Sequence, residues 1–334
     1  MRRLITFCLV LALGWSTYWL VGKTAKQTAM TAWLEDRRAA GWVADYSDFR
    51  VVGYPNRFDS RFNDLHLGSN QSRIFWKADW FHILALSYQP NHIIAAFSNQ
   101  QQVTLNRENI SVVSEKMLAS VVFQPDTNLA LQRMSLKTDV VDLTSDQGWN
   151  AGARDFSFAT RQAASGLANA HDVALNATAI RPTEAIRRAL NPKGDLPDRI
   201  ELAVADMELG FDAPWDRLAL ESGAPWLTSL NLRRFDLVWG DLKFDLKGEI
   251  TIDTAGWPTG DLDLRVTNWR RVLEILRNSG AVPHEISNTI ETALGLLTHN
   301  TAHPEDLDVP LSFADGQMFL GPIPIGTAPR FLRR

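Results

Sequence analysis

The stretch Leu230–Asp253, LNLRRFDLVWGDLKFDLKGEITID, decides the fold. From Leu242 to Ile252, apolar residues occupy every second position except at Gly248, and charged or polar residues lie between them. Successive side chains of a strand point to opposite faces, so this alternation predicts strands with one apolar and one polar face. Gly240-Asp241 has the chemistry of a tight turn between two such strands. We therefore predict a two-faced antiparallel sheet.

The apolar face of this sheet is the candidate binding surface. Its predicted lining residues are Leu237, Trp239, Phe244, Leu246, Leu262 and Leu264. If the face stays partly open as a groove, it can accept acyl chains. If helices pack on it, it becomes part of a closed core. The sequence leaves both arrangements open, whereas the charged face is expected to be solvated.

The period of two recurs on the N-terminal side, and helices follow on the C-terminal side. Asp48–Gly53 and Arg61–Leu67 predict a hairpin, and further short strands separated by turn residues extend to about residue 180. Two amphipathic helices are predicted near residues 268–299. The predicted fold is α+β and mostly antiparallel β: an N-terminal membrane-anchor helix, a long curved β-meander forming a trough or half-barrel, and a few C-terminal helices.

The N-terminus predicts a membrane anchor. Leu4–Val21 contains no charged residue, and as a helix it covers about 27 Å, enough to span a bilayer. Arg2 and Arg3 precede it, which favours a cytoplasmic N-terminus. A cleaved signal peptide is the competing interpretation, although Ala12-Leu13-Gly14 is a poor cleavage site. The predicted organisation is an anchor at 1–22, a stalk helix at 23–45 and a periplasmic β-rich domain at 46–334.

Composition argues against several functional classes. The 334 residues include 34 Lys and Arg against 38 Asp and Glu, which argues against a nucleic-acid partner bound through a basic face. The single cysteine, Cys8, excludes a disulfide framework and a thiolate metal cluster. Signature motifs of hydrolases, phosphate-binding loops and zinc proteases do not occur in the sequence. We therefore expect no catalytic residues, no metal site and no cofactor.

Several short segments carry a resemblance to a known family. They are Val52–Asp59 (VGYPNRFD), Tyr88–Phe97 (YQPNHIIAAF), the turn around Gly256–Gly260, Asn268-Trp269, and Asp315–Gly326 (DGQMFLGPIPIG). Together they resemble the bacterial family known as domain of unknown function 2125. That family is similar, more distantly, to AsmA-like envelope proteins, which share an inner-membrane anchor and a periplasmic β-rich body. Several of those proteins are implicated in moving or sensing phospholipid. The resemblance implies an envelope location and a β-groove, and it supplies no catalytic residue.

Three functions are compatible with these features. The first is a single-pass inner-membrane protein whose periplasmic part binds phospholipid or supports outer-membrane maintenance, with the membrane, lipid and other envelope proteins as partners. The second is a non-enzymatic interaction scaffold with a sealed core. The third is an undetected hydrolase.

Overall fold

The computed structural model describes residues 1–192, 194–278, 284–298 and 303–331. Its helices are α1 Arg2–Ala39, α2 Glu184–Leu190, α3 Arg217–Ser222, α4 Trp269–Asn278 and α5 His284–Thr298. The strands up to residue 123 are β1 Trp42–Asp45, β2 Asp48–Val52, β3 Asp59–Ser69, β4 Ile74–Leu86, β5 Gln89–Phe97, β6 Gln100–Leu105, β7 Glu108–Glu115 and β8 Leu118–Phe123. The later strands are β9 Leu131–Ser145, β10 Asn150–Gln162, β11 Ala170–Arg181, β12 Ile200–Phe211, β13 Leu227–Trp239, β14 Leu242–Ile252, β15 Pro258–Thr267, β16 Asp306–Ala314, β17 Gln317–Leu320 and β18 Ile323–Thr327.

The chain forms two compact units. Unit 1 comprises residues 1–125 and 136–148, and unit 2 comprises residues 126–135 and 149–334. Within the predicted β-rich range 46–334, positions 193, 279–283, 299–302 and 332–334 lie outside the described residues. The predicted fold class is confirmed, since antiparallel strands dominate and the long N-terminal helix is accompanied by a few short ones.

The sheet of unit 1 branches at its two longest early strands. One edge of β3 pairs with both β2 and β1, and its other edge pairs with β4. Beyond β4, the strands β5 and β6 each pair with a different part of the same edge. β4 is therefore long enough to pair with two shorter strands that lie end to end along one of its edges. This unit departs from the simple meander that the sequence predicted.

The core of unit 1 lies between this sheet and α1. Phe49 and Phe62 face each other across β2 and β3, with ring centroids 4.4 Å apart and an interplanar angle of 11°. From α1, Leu34 and Trp19 enter the same cluster and are 1% and 6% exposed. The helix ends at Ala39, and Gly41 at φ +83° leads the chain into β1. Helix α1 thus precedes the sheet in the chain and contributes buried side chains to its core.

Unit 2 contains a meander from β10 to β18. Each strand pairs antiparallel with the next along the chain. Among the strands that the structure describes, no pairing joins β18 to β10, so this sheet is not a closed barrel. Two predicted features are confirmed: the tight turn between β13 and β14, in which Gly240 has φ +59°, and the helix α4.

Two strand predictions were wrong. Short strands were predicted in this region, but β4 is one continuous strand of 13 residues from Ile74 to Leu86. No strand was predicted at β12, because apolar residues there interrupt the alternation of apolar and polar positions. Leu202 and Val204 pair with Val238 and Asp236, so apolar side chains also occur on the mostly charged face.

Candidate functional site

The predicted register of the decisive hairpin is confirmed. Along β14, Lys243, Asp245, Lys247 and Glu249 are exposed, whereas the residues between them are buried or half-buried. Phe244 pairs with Leu237 on one side and Val266 on the other, so apolar residues continue across three strands. The sheet therefore has one apolar and one charged face, as the alternation predicted.

The six predicted lining residues share the apolar face but differ in burial. Leu237 pairs with Phe244, and Leu246 pairs with Leu264; all four are half-buried. Leu262 is 7% exposed and Trp239 is 4% exposed. The indole Nε1 of Trp239 donates a hydrogen bond to the Pro197 carbonyl at 2.8 Å. Trp239 is therefore a packed core residue, and the other side chains decide how open the face is.

Helices cover the apolar face at the ends of β14 to β16 nearest α4. Trp269 and Leu273 of α4, with Ile290 and Leu294 of α5, form a buried cluster with Val266 and Leu307 of the sheet. The Trp269 indole donates to the Pro304 carbonyl at 3.1 Å, which fixes the start of α4 against the chain before β16. This coverage supports a sealed core at that end.

The C-terminal segment covers another part of the same face. Ala328 is 4% exposed and packs in a cluster with Leu232, Ile250, Leu262 and Phe313. Its backbone N–H donates to the Gly316 carbonyl at 2.9 Å, and the Phe331 N–H donates to the Gly256 carbonyl at 2.9 Å. Gly256 has φ +86°, and a β-carbon there would lie 2.2 Å from the Phe331 carbonyl oxygen, so the turn requires glycine.

The apolar rows continue into β11 and β12, where their larger side chains are only half-buried. Leu232 pairs with Met207, and Met207 pairs with Val173. In the next row Phe235 pairs with Ala205, which pairs with Leu175. The larger side chains of these rows that are not fully buried are Val173, Leu175, Met207 and Phe235, of which Met207 and Phe235 border the cluster around Leu232 and Phe313. These four residues are called the open rows below.

Ion pairs link several residues of the charged face across the strands. Arg233 forms ion pairs with Asp172, with Asp206 at 3.0 Å and with Glu208 at 3.2 Å. The hydrogen bond from Arg233 lowers the pKa of Asp172, and the same pair raises the pKa of Arg233. Further along, Arg265 pairs with Asp308 at 2.8 Å. Because the charges satisfy one another across strands, this face has the character of a solvated surface.

The described clefts do not coincide with the open rows. One of about 560 Å³ lies beside α4 and α5 and is lined by residues that include Arg270, Glu291 and Leu296. Another, of about 480 Å³, lies in unit 1 and is lined largely by polar residues such as Asp64 and Gln101. The open rows therefore form a half-buried strip of the sheet that lies apart from these two clefts.

A second feature, missed by the sequence analysis, is the packing of helix α1 against two turns of unit 1. Among the described residues, α1 is the one helix long and apolar enough to cross a membrane, although a signal sequence would meet the same criterion. Its Trp15 indole donates to the Pro55 carbonyl at 2.8 Å, and its Trp19 indole donates to the Arg57 carbonyl at 2.8 Å. The Tyr18 hydroxyl donates to the Ser87 carbonyl at 2.9 Å.

Two turns of unit 1 provide these contacts, and we call them the docking turns. They are the β2–β3 turn at residues 53–58 and the β4–β5 turn at residues 87–88. Phe58 packs so close to the helix that a β-carbon on Gly22 would lie 2.5 Å from its Cζ. Lys26 donates to the Phe58 carbonyl, and burial lowers its pKa although Asp59 opposes this effect. Trp19 is therefore part of the folded core of unit 1.

No single-sequence signal pairs these two regions. Trp15, Tyr18 and Trp19 resemble an interfacial aromatic cluster, and Tyr54-Pro55-Asn56 resembles an ordinary hairpin connection. The partners are between 38 and 69 residues apart, and most of the contacts use backbone carbonyls, which carry no sequence signature.

Comparison with known proteins gives one match. A family model described as an uncharacterized protein conserved in bacteria, DUF2125, matches residues 19–329. The match begins at Trp19, the first residue of α1 that is buried in the core of unit 1, and extends through both units. No curated protein and no solved structure matches the chain significantly.

Proposed function

Since the chain belongs to the DUF2125 family of bacterial proteins, we propose that it is an inner-membrane protein of the cell envelope whose unit 2 binds the acyl chains of phospholipid. In this proposal α1 crosses the inner membrane once, with its N-terminus in the cytoplasm, and both units lie in the periplasm. Its role is non-enzymatic. Kinship with AsmA-like proteins stays a prediction.

The observation that supports lipid binding is the half-exposure of the open rows. Four medium to large apolar side chains there sit beside a sheet region that is otherwise covered by helices and the C-terminal segment. Burial of apolar surface contributes about 25 cal/mol per Å², so covering about 200 Å² of an acyl chain contributes about 5 kcal/mol before the costs of association. A lipid chain lying along the strip would supply the cover that the protein does not.

The interaction scaffold is the second candidate. It is favoured by the sealed clusters around Trp269 and Phe313, which make the end of the sheet near α4 and its edge near the C-terminal segment part of a closed core. Under this proposal the open rows would contact a protein partner.

Photo-crosslinking in cells distinguishes the two candidates. We would replace Phe235, on the apolar face, with p-benzoylphenylalanine, and as the matched control place the same group at Lys243 on the exposed charged face. Lipid binding predicts phospholipid adducts at position 235 and none at 243, measured by mass spectrometry of the purified chain. Leu264→Asp should reduce the adduct, because Leu264 lies in the same cross-strand row, whereas Asp261→Asn should not.

The full chain is needed for this experiment. A truncation that begins near residue 45 would remove Leu34 and Trp19 from the core of unit 1. Adducts of protein mass at position 235, without lipid adducts, would support the scaffold instead.

A further inference from the structure

The docking turns present two exposed tyrosines beside the anchor helix. Tyr54 is 58% exposed and Tyr88 is 60% exposed. Next to them on α1, Trp15 and Tyr18 are 41% and 47% exposed, with ring centroids 5.4 Å apart. Tyr and Trp are the side chains most typical of the bilayer interface, because an apolar ring is combined with a polar group. Helix and turns thus present one continuous aromatic group.

Contacts with α1 fix the level of the docking turns along the helix. The Tyr54 hydroxyl lies 2.9 Å from the Ser16 hydroxyl, and the Tyr54 ring contacts Trp19 edge to face at 5.4 Å. With a rise of about 1.5 Å per residue, Ser16 lies about 7.5 Å on the N-terminal side of Val21. If Leu4–Val21 fills the hydrocarbon layer, the tip of the β2–β3 turn lies at or below its edge.

Raising the helix does not bring the docking turns clear of lipid. If Trp15 instead marks the interface, the apolar residues Leu4–Gly14 cover only about 16 Å, against about 30 Å of hydrocarbon. The bilayer would have to thin around the helix to match so short a span. The turns that hold Trp15 and Tyr18 then lie at the level of the headgroups. Both placements bring the turns into contact with lipid.

Cations lie just beyond this aromatic group. Lys23, one helical turn after Trp19, places its Nζ 5.6 Å from the Trp19 ring centroid. Arg57, in the β2–β3 turn, pairs with Asp59 at 3.0 Å and keeps 41% of its side chain exposed. Aromatic rings followed on the water side by Lys and Arg match the order of glycerol and phosphate groups in a phospholipid leaflet.

We propose that the docking turns enter the headgroup layer of the membrane that α1 crosses, with Tyr54 and Tyr88 as the inserting residues and phospholipid as the partner. The proposal rests on the proposed anchoring of α1 and is independent of lipid binding by unit 2. A helix alone would leave unit 1 free to tilt on the bilayer. Two inserted turns beside it would hold the strands β3 and β4 in one orientation to the membrane.

Site-specific fluorescence tests this proposal on the full chain. In a Cys8→Ser background, which removes the only native cysteine, Tyr88→Cys is labelled with an NBD dye and reconstituted in vesicles of phosphatidylethanolamine and phosphatidylglycerol. Tyr88 is the better probe because Tyr54 helps to hold the helix. The control is Asn106→Cys in the β6–β7 turn. That turn lies at the other end of unit 1, because Leu105 pairs with Ile74, where β4 begins.

The expected result is a blue shift of the emission at position 88 and several-fold stronger quenching by lipids carrying a nitroxide near the headgroup than by lipids carrying it at the chain end. The label at position 106 should show neither. Vesicle flotation is measured on the same samples. A chain that floats while both labels behave alike would overturn the insertion of the turns and leave the anchor intact. A chain that does not float would overturn both.

Discussion

The two units cover their sheets in different ways. In unit 1 the long N-terminal helix α1 packs on the sheet, and aromatic rings fill the cluster around Phe49 and Phe62. In unit 2, short helices and the C-terminal segment cover the end near α4 and the edge near β16, while the open rows stay half-exposed. The same strand alternation thus produces a filled core in one unit and a partly uncovered face in the other.

This difference shows that alternation alone does not determine whether an apolar face is core or surface. Whether the face becomes core depends on which secondary-structure element packs on it. For unit 1 that element is α1, so the stability of the unit depends on the same long apolar helix that meets the length and composition criteria of a membrane span. For unit 2 the covering elements lie mostly after β15, and the earlier strands receive less cover.

The largest expected effect compares one leucine from each unit. Leu34→Ala should destabilise unit 1 by about 2–5 kcal/mol, because Leu34 is 1% exposed and truncation leaves a cavity. Leu237→Ala should cost about 1 kcal/mol, because its side chain is only partly buried on the apolar face. Hydrogen exchange of β3 and of β13 in detergent-solubilised full chain reports each unit separately. Equal losses of protection would contradict the contrast between a filled and an open face.

The next effect tests the two faces of the sheet in unit 2. Phe244→Asp should destabilise the unit by about 3 kcal/mol, because it places a carboxylate among Leu237, Val266 and the α4 cluster. Lys243→Asp, one position earlier, should change the free energy of unfolding little, since that side chain is exposed. Denaturant titration of both variants is the measurement. A similar decrease for both would show that the faces are not distinguished as the register requires.

A smaller effect tests how closely α1 packs on unit 1. Gly22→Ala should destabilise the docked helix by about 1–2 kcal/mol, because the new β-carbon would lie 2.5 Å from Phe58 Cζ and one of the two must move. Gly14→Ala is the matched control in the same helix, where a β-carbon would meet nothing within 4 Å. Alanine there should be neutral or slightly stabilising. Protease sensitivity of the 53–58 turn in the two variants measures the difference, and equal sensitivity would argue against close packing.

Much of unit 2 could be predicted because its signal is local. The alternation around Phe244, the turn at Gly240 and the stripe on Trp269–Asn278 each follow from neighbouring residues, and the structure confirms all three. Strand β12 was missed because Leu202 and Val204 interrupt the polar side of the pattern. Its apolar residues are nevertheless needed to continue the rows of the candidate site.

The docking of α1 could not be predicted, because it depends on contacts between distant residues. Trp15 and Trp19 donate to carbonyls of Pro55 and Arg57, and any residue would supply those acceptors. For the same reason the six predicted lining residues were placed on the correct face, but the burial of Trp239 by Pro197 and Leu196 was not foreseen. The alternation of residues along each strand determines which face is apolar, and tertiary contacts determine what covers it.

The smallest expected effect is the pH dependence of the stability of β11 in unit 2. His171 of β11 is 4% exposed; its Nδ1 lies 3.3 Å from the Thr160 hydroxyl, and its ring lies 6.3 Å from that of Phe211. Burial lowers the pKa of His171 below that of the unfolded chain, and the neighbouring Asp172 opposes this effect. The folded state therefore binds fewer protons than the unfolded state between the two pKa values, so stability is complete above about pH 6.5 and falls as the pH decreases from there to the folded pKa.

His171→Gln should remove this loss, so between about pH 7.5 and about pH 5.5 the variant should lose less protection of the β11 amides than the wild type does. Histidines of unit 1 do not confound the measurement, because exchange is read at β11 alone. Parallel losses in the two proteins would show that His171 is not a source of acid sensitivity and that this part of the apolar face is more solvated than its burial indicates.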